Sequence, residues 1–175
     1  MRGGGLFLAG VPAPGDTQPP ARNSPLYVYL YERQAASVGP AGVMGLRFVE
    51  WMRLPDDGED GTRARTLAEL PAIRAALSRG EPVILGLVLL RSSDHVGPWN
   101  NHQVLAYAMA RGAGEAEEMR IYDPNLPRRD DVVIRITDEG GLPRLARVAP
   151  GRREMAIRGM FRMAYVAREP AIFAR

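Results

Sequence analysis

The sequence predicts an α+β fold, on three observations. Apolar residues recur at helical spacing in the first half, at Leu26, Tyr29 and Leu30 and again at Val43, Leu46, Val49 and Met52. From Glu81 onward the period becomes that of strands, with alternation around Val132, Ile134 and Ile136 and around Phe161, Met163 and Tyr165. Helical and strand segments are segregated along the chain, which argues against βαβ winding and for an antiparallel sheet. A length of 175 residues suits one domain, 1–175, with a helical lobe over about 1–80 and a β lobe over about 81–175.

Each element has its own warrant. Residues 11–23 hold four prolines and no hydrophobic period, and read as an extended loop. Ser24-Pro25 then opens a helix, Ser as N-cap and Pro at the first helical position, and Gly39-Pro40 stops it. A second helix runs over 42–53, with Phe48 and Trp51 beside its apolar stripe. In the acidic stretch that follows, Asp56, Asp57, Glu59 and Asp60 lack the spacing of a calcium loop and read as a solvated face. Thr66 with Glu69 fits a capping box, Pro71 offers a later first turn, and either helix ends at Gly80. Strands follow at 82–90, 103–110, 119–122 and 131–136, and a last one near the C-terminus. Arg128, Arg129, Asp130 and Asp131 read as a hairpin tip with paired charges.

Composition excludes several classes of function. Every one of the 23 basic residues is Arg, but they are scattered among acids and no basic run is interleaved with aromatics, so no nucleic-acid partner is expected. No apolar run approaches the roughly 20 residues of a membrane span, so no membrane partner is expected either. Three glycines interrupt the short apolar stretch at 1–10, which falls short of a secretion signal and makes the cytoplasm the default location. The absence of Cys removes disulfides, Cys-based zinc sites and a thiolate nucleophile from these residues. His95 and His102 alone do not close a metal site, and no cofactor is expected. Oligomeric state has no signal in the composition.

The segment Asn101-His102-Gln103-Val104-Leu105-Ala106-Tyr107, followed by Ile121-Tyr122-Asp123-Pro124-Asn125, carries the chemistry. It sets a His at the start of one strand and an Asp at the end of the next. A His base needs one ring nitrogen free and the other held by an acceptor, and a carboxylate on a neighbouring strand end provides that hold. Pro124 biases Asp123 towards extended backbone, which suits such an orienter. The plainer readings are a strand-edge His without a task and an Asp-Pro-Asn hairpin turn. Around the pair, Asn101, Trp99 and Asn125 are candidate cleft-lining residues. Trp99 would shield the imidazole or pack as a loop aromatic, and Asn125 would orient His102 in place of Asp123 or cap a turn. His95 reads as an exposed loop residue beside Asp94. Ser24 is explained as a helix cap rather than a nucleophile, and Ser92 and Ser93 as turn residues.

The same His and Asp segments resemble those of papain-like cysteine peptidases, in particular the bacterial group similar to bacteriocin-processing peptidases. Ala9-Gly10-Val11-Pro12, Ser24-Pro25-Leu26, Phe48-Val49-Glu50-Trp51-Met52 with Leu54-Pro55, Gly80-Glu81-Pro82-Val83 and Gly159-Met160-Phe161 are similar as well, so the resemblance spans most of the chain. It implies a papain-like arrangement, His102 as base and then acid, Asp123 as orienter, and a peptide or protein as substrate. It also implies a Cys followed by two glycines at the start of the first helix and a Gln upstream. No position here matches either one. The resemblance therefore makes the first helix a truncated one, present only as its tail at 6–10. The expectation is a peptidase-like domain, N-terminally incomplete and inactive as it stands. Its alternative is a pseudoenzyme that binds a peptide or protein without cleaving it.

Overall fold

A computed structural model describes residues 22, 24, 27–29, 31–32, 43–94, 97–126 and 129–164. The expected tail of a first helix at 6–10, the loop at 11–23 apart from Arg22, the helix stop at Gly39-Pro40, and the readings of His95, Arg128 and Tyr165 lie outside them. Of the expected Ser24 helix, residues 27–29 and 31–32 are helical, and Ser24 Oγ accepts the Tyr27 N–H at 3.2 Å, as an N-cap does.

Among the described residues, two further helices, α1 (Val43–Arg53) and α2 (Thr62–Ser78), precede seven antiparallel strands: β1 (Val83–Val88), β2 (His102–Arg111), β3 (Glu117–Tyr122), β4 (Val133–Glu139), β5 (Leu142–Val148), β6 (Met155–Ile157) and β7 (Gly159–Arg162). The α+β class holds. Strands β5 and β6 carry no clean alternation in the sequence and were not expected; Pro143 and the run of arginines from Arg144 to Arg153 obscure them.

In the sheet the strands lie in the order β6-β5-β4-β3-β2-β1-β7. Its two outermost strands are consecutive in the chain, with Arg158 alone between them. The sheet therefore curls until both of its ends meet in one segment, 155–162, whose first half pairs with β5 and whose second half pairs with β1. The edges of β1 and β5 are thereby covered by one and the same segment.

Inside the curl lie Leu85, Leu87, Val104, Ala106, Met119, Ile121, Ile134, Leu145, Ile157 and Met160, covered by Leu70, Ile73 and Leu77 of α2. On the outside of β1 and β7, α1 packs Phe48, Trp51 and Met52 against Val88, Phe161 and Met163. The buried stripe of α1 is thus Phe48-Trp51-Met52, whereas Leu46, expected in the stripe, is exposed. Rotation of the stripe follows from Gly86, directly opposite Phe161 on β7. A side chain there would meet both the Phe161 and Phe48 rings, which stack edge to face at 4.9 Å over the bare backbone.

The capping box at Thr66 does not form. Helix α2 starts four residues earlier, because loop carbonyls supply its acceptors: the Thr62 N–H reaches Pro55 O at 2.9 Å and the Arg63 N–H reaches Asp56 O at 3.1 Å. Pro71 lies inside the helix on an exposed side. The helix does end at Gly80, whose φ of +74° suits glycine.

Two threonines of α2 hold the seam where the curl closes. Thr62 Oγ1 donates to Arg158 O at 2.7 Å, and Thr66 Oγ1 accepts the Met160 N–H at 3.0 Å. Between them Gly159 is packed so closely that an added methyl would stand 2.9 Å from Thr62 Cβ and 3.1 Å from Thr62 O. The Arg158 side chain reaches Asp56 Oδ1 at 2.6 Å, Leu90 O at 2.6 Å and Leu54 O at 2.7 Å. Asp56 also pairs with Arg91. It belongs to a buttress and not, as expected, to a solvated face. Substitution of Gly159 by Ala is expected to lower stability by about 2 kcal/mol through overpacking, read as a lower urea midpoint at unchanged denaturant slope.

Candidate functional site

His102 opens β2, opposite Leu87 of β1, and Asp123 follows the last residue of β3. Leu105 pairs with Tyr122, so the next step beyond β3 brings Asp123 alongside Val104 and within reach of His102 on the same inner face. His102 Nε2 and Asp123 Oδ1 are 2.7 Å apart. The Asp123 side chain is fully buried and that of His102 is 13% exposed, so one group is sealed and the other meets the surface.

Two more donors fix the carboxylate. The Asn125 N–H reaches Oδ1 at 2.9 Å, and Arg147 Nη1 reaches Oδ2 at 2.6 Å. The Leu126 N–H closes the turn on Asp123 O at 2.9 Å. The Asp-Pro-Asn segment is therefore both a turn and part of the site, since the turn itself supplies one of the bonds. Burial alone would raise the Asp123 carboxyl. The His102 hydrogen bond, the Asn125 N–H, the His102 charge and the Arg147 guanidinium outweigh burial and hold it below the ordinary carboxylate range.

With Nε2 bound to Asp123, the imidazole presents Nδ1. Asn125 Nδ2 stands 3.5 Å from that nitrogen. Asn125 thus touches the site at both ends, with its backbone on the carboxylate and its amide near the ring. When the ring donates from Nε2 to the carboxylate, Nδ1 is the nitrogen that faces away from Asp123.

Two further expected members, Asn101 and Trp99, make contacts of their own. Asn101 spends its amide on backbone: Oδ1 accepts the Leu89 N–H at 2.9 Å and the Leu90 N–H at 3.4 Å, and Nδ2 donates to Pro98 O at 3.2 Å. It ties the end of β1 to the start of β2, directly before His102. Trp99 is 82% exposed on a 3-10 turn (Pro98–Asn100), its ring against Gly97, and does not pack on the core. Ser92 begins a second 3-10 turn, Ser92–Asp94, in which Asp94 accepts the Arg91 N–H. Arg129 and Asp131 form the expected charge pair, with two contacts at 2.7 and 2.6 Å.

Arg147 is the residue that sequence reasoning missed. Pro143, Leu145 and Arg147 occupy alternate positions of β5, the first two buried. An arginine continuing the inward face of a strand is the signal that would have found it, had the strand been recognised. Among the described residues no group of three His, Asp or Glu side chains is placed to hold a metal ion, and no helix is long and apolar enough to cross a membrane. No protein-family model, curated protein or solved structure matches the chain.

Because the folded-state pKa of Asp123 is depressed, its ionised form contributes stability fully above the unfolded value of about 4 and loses it as pH falls through the folded value. Asp123→Asn leaves Arg147 without its charge partner in a largely buried position and is expected to cost about 3 kcal/mol at neutral pH. That difference from the parent chain should shrink below pH of about 4, read from urea melts across pH.

Proposed function

We propose that this chain is a papain-like, cysteine-peptidase-like domain that keeps the base and orienter of an acyl-transfer site. The observation that carries the reading is the His102 Nε2–Asp123 Oδ1 contact of 2.7 Å, with Nδ1 left clear of the carboxylate. The helices before an antiparallel sheet and the resemblance of the His and Asp segments support it. In this reading Nδ1 takes the proton of an attacking group and later returns it to the leaving group, while ionised Asp123 steadies the imidazolium formed in between. The bond attacked is an amide or thioester, and the substrate a peptide or protein.

A second reading is favoured by one specific observation: none of the 175 residues is Cys. On that ground these residues by themselves bind an extended peptide or a partner protein and do not cleave it. Both readings share the site and differ in whether a thiol joins it.

The purified chain is expected to leave a mixed peptide library intact, while extended peptides shift the His102 ring resonances in NMR titrations. Slow hydrolysis of an activated ester, p-nitrophenyl acetate, is expected to fall at least about tenfold in His102→Ala. Ester hydrolysis equal in parent and variant would remove His102 as a base. Peptide cleavage that depends on His102 would instead reveal a nucleophile other than a thiol and rule out the binding-only reading.

A further inference from the structure

Asp123 is a fully buried carboxylate, and three donors from three parts of the chain converge on it: His102 from β2, the Asn125 N–H from the turn and Arg147 from β5. The third is the least expected. Arg147 comes from two strands away, and on β4 between them its pairing partner Ile134 is fully buried. Its side chain is only 17% exposed, at a position where the alternation of β5 calls for an apolar residue. Burying a guanidinium there is costly unless it is paired.

The division of labour between the two carboxylate oxygens shows what the pairing achieves. Oδ1 takes the imidazole and the turn N–H, and Oδ2 takes the arginine. A carboxylate hydrogen-bonded at both oxygens is held against rotation. We propose that Arg147 is the positioning residue of this pair: by holding Oδ2 it keeps Oδ1 turned to His102 Nε2, and so keeps the lone pair of Nδ1 as the basic position. The proposal rests on the reading of His102 as a base.

The chain has two histidines, so its ring nitrogens are tractable by long-range proton–nitrogen NMR of histidine-labelled protein, with His102→Gln assigning the signals. At a pH well above the ordinary imidazole range, the parent chain is expected to show a protonated Nε2 and a bare Nδ1, widely separated in shift. In Arg147→Met the two shifts should move towards each other as the tautomers mix. In Arg147→Lys, which restores a charge at Oδ2, most of the separation should return. Should Arg147→Met not fold, Arg147→Gln, which is uncharged, serves in its place with the same expected loss. A folded Arg147→Met or Arg147→Gln with unchanged ring shifts overturns the proposal. So does equal loss of separation in the Lys and Met variants accompanied by an equal fall in Tm, which marks a packing role. A parent chain with its proton on Nδ1 overturns the base reading itself, and the positioning role with it.

Discussion

The structure depends on how its sheet is closed at Arg158 and Gly159. Strands β1 to β5 pair in sequence and leave an edge at each end, and a single chain segment covers both by pairing to β5 before Arg158 and to β1 after it. The inward positions shift across that point: Ile157 and Met160, three residues apart, both face the inner core. A shift of this kind needs a local bend, and α2 stabilises the bend with two hydroxyls in addition to its apolar packing. Buried backbone groups left unpaired are costly, so polar residues inside this apolar layer have a plain physical reason.

Closure also makes the site. In a flat sheet, strands two apart are separated by roughly 9.6 Å, twice the inter-strand spacing. On the concave side of a curled one their side chains converge. Arg147 and Asp123, separated by β4, meet at 2.6 Å on that side. His102 and Asp123, by contrast, are neighbours through direct pairing of β2 with β3. The first contact depends on the three-dimensional curl and the second on local register alone.

That difference explains what was legible from the residues. The His102–Asp123 juxtaposition follows from strand periodicity and a short connection, both visible in a linear reading. The α+β class, the Ser24 cap and the Gly80 stop are local signals too. Thr66 was misread as a helix cap because its hydroxyl serves a partner 94 residues away, which leaves no local trace. Asp56 was misread for the same reason, since its chief partner is Arg158. Leu46 fits the helical period but lies outside the buried stripe, because the orientation of α1 is decided by the gap over Gly86 on another element. Arg147 was hidden twice, once by a proline in its strand and once by needing the curl to reach its partner.

The pairing of Gly86 with Phe161 has a consequence for how this chain can vary. One position contributes an absence and the other fills it, with Phe48 and Trp51 closing over the same ring. Neither residue is adjustable by itself. Bulk at the glycine displaces the aromatic layer, and a smaller residue opposite leaves a hollow beneath α1. The energetic cost of a change at one of the two positions therefore depends on which residue occupies the other.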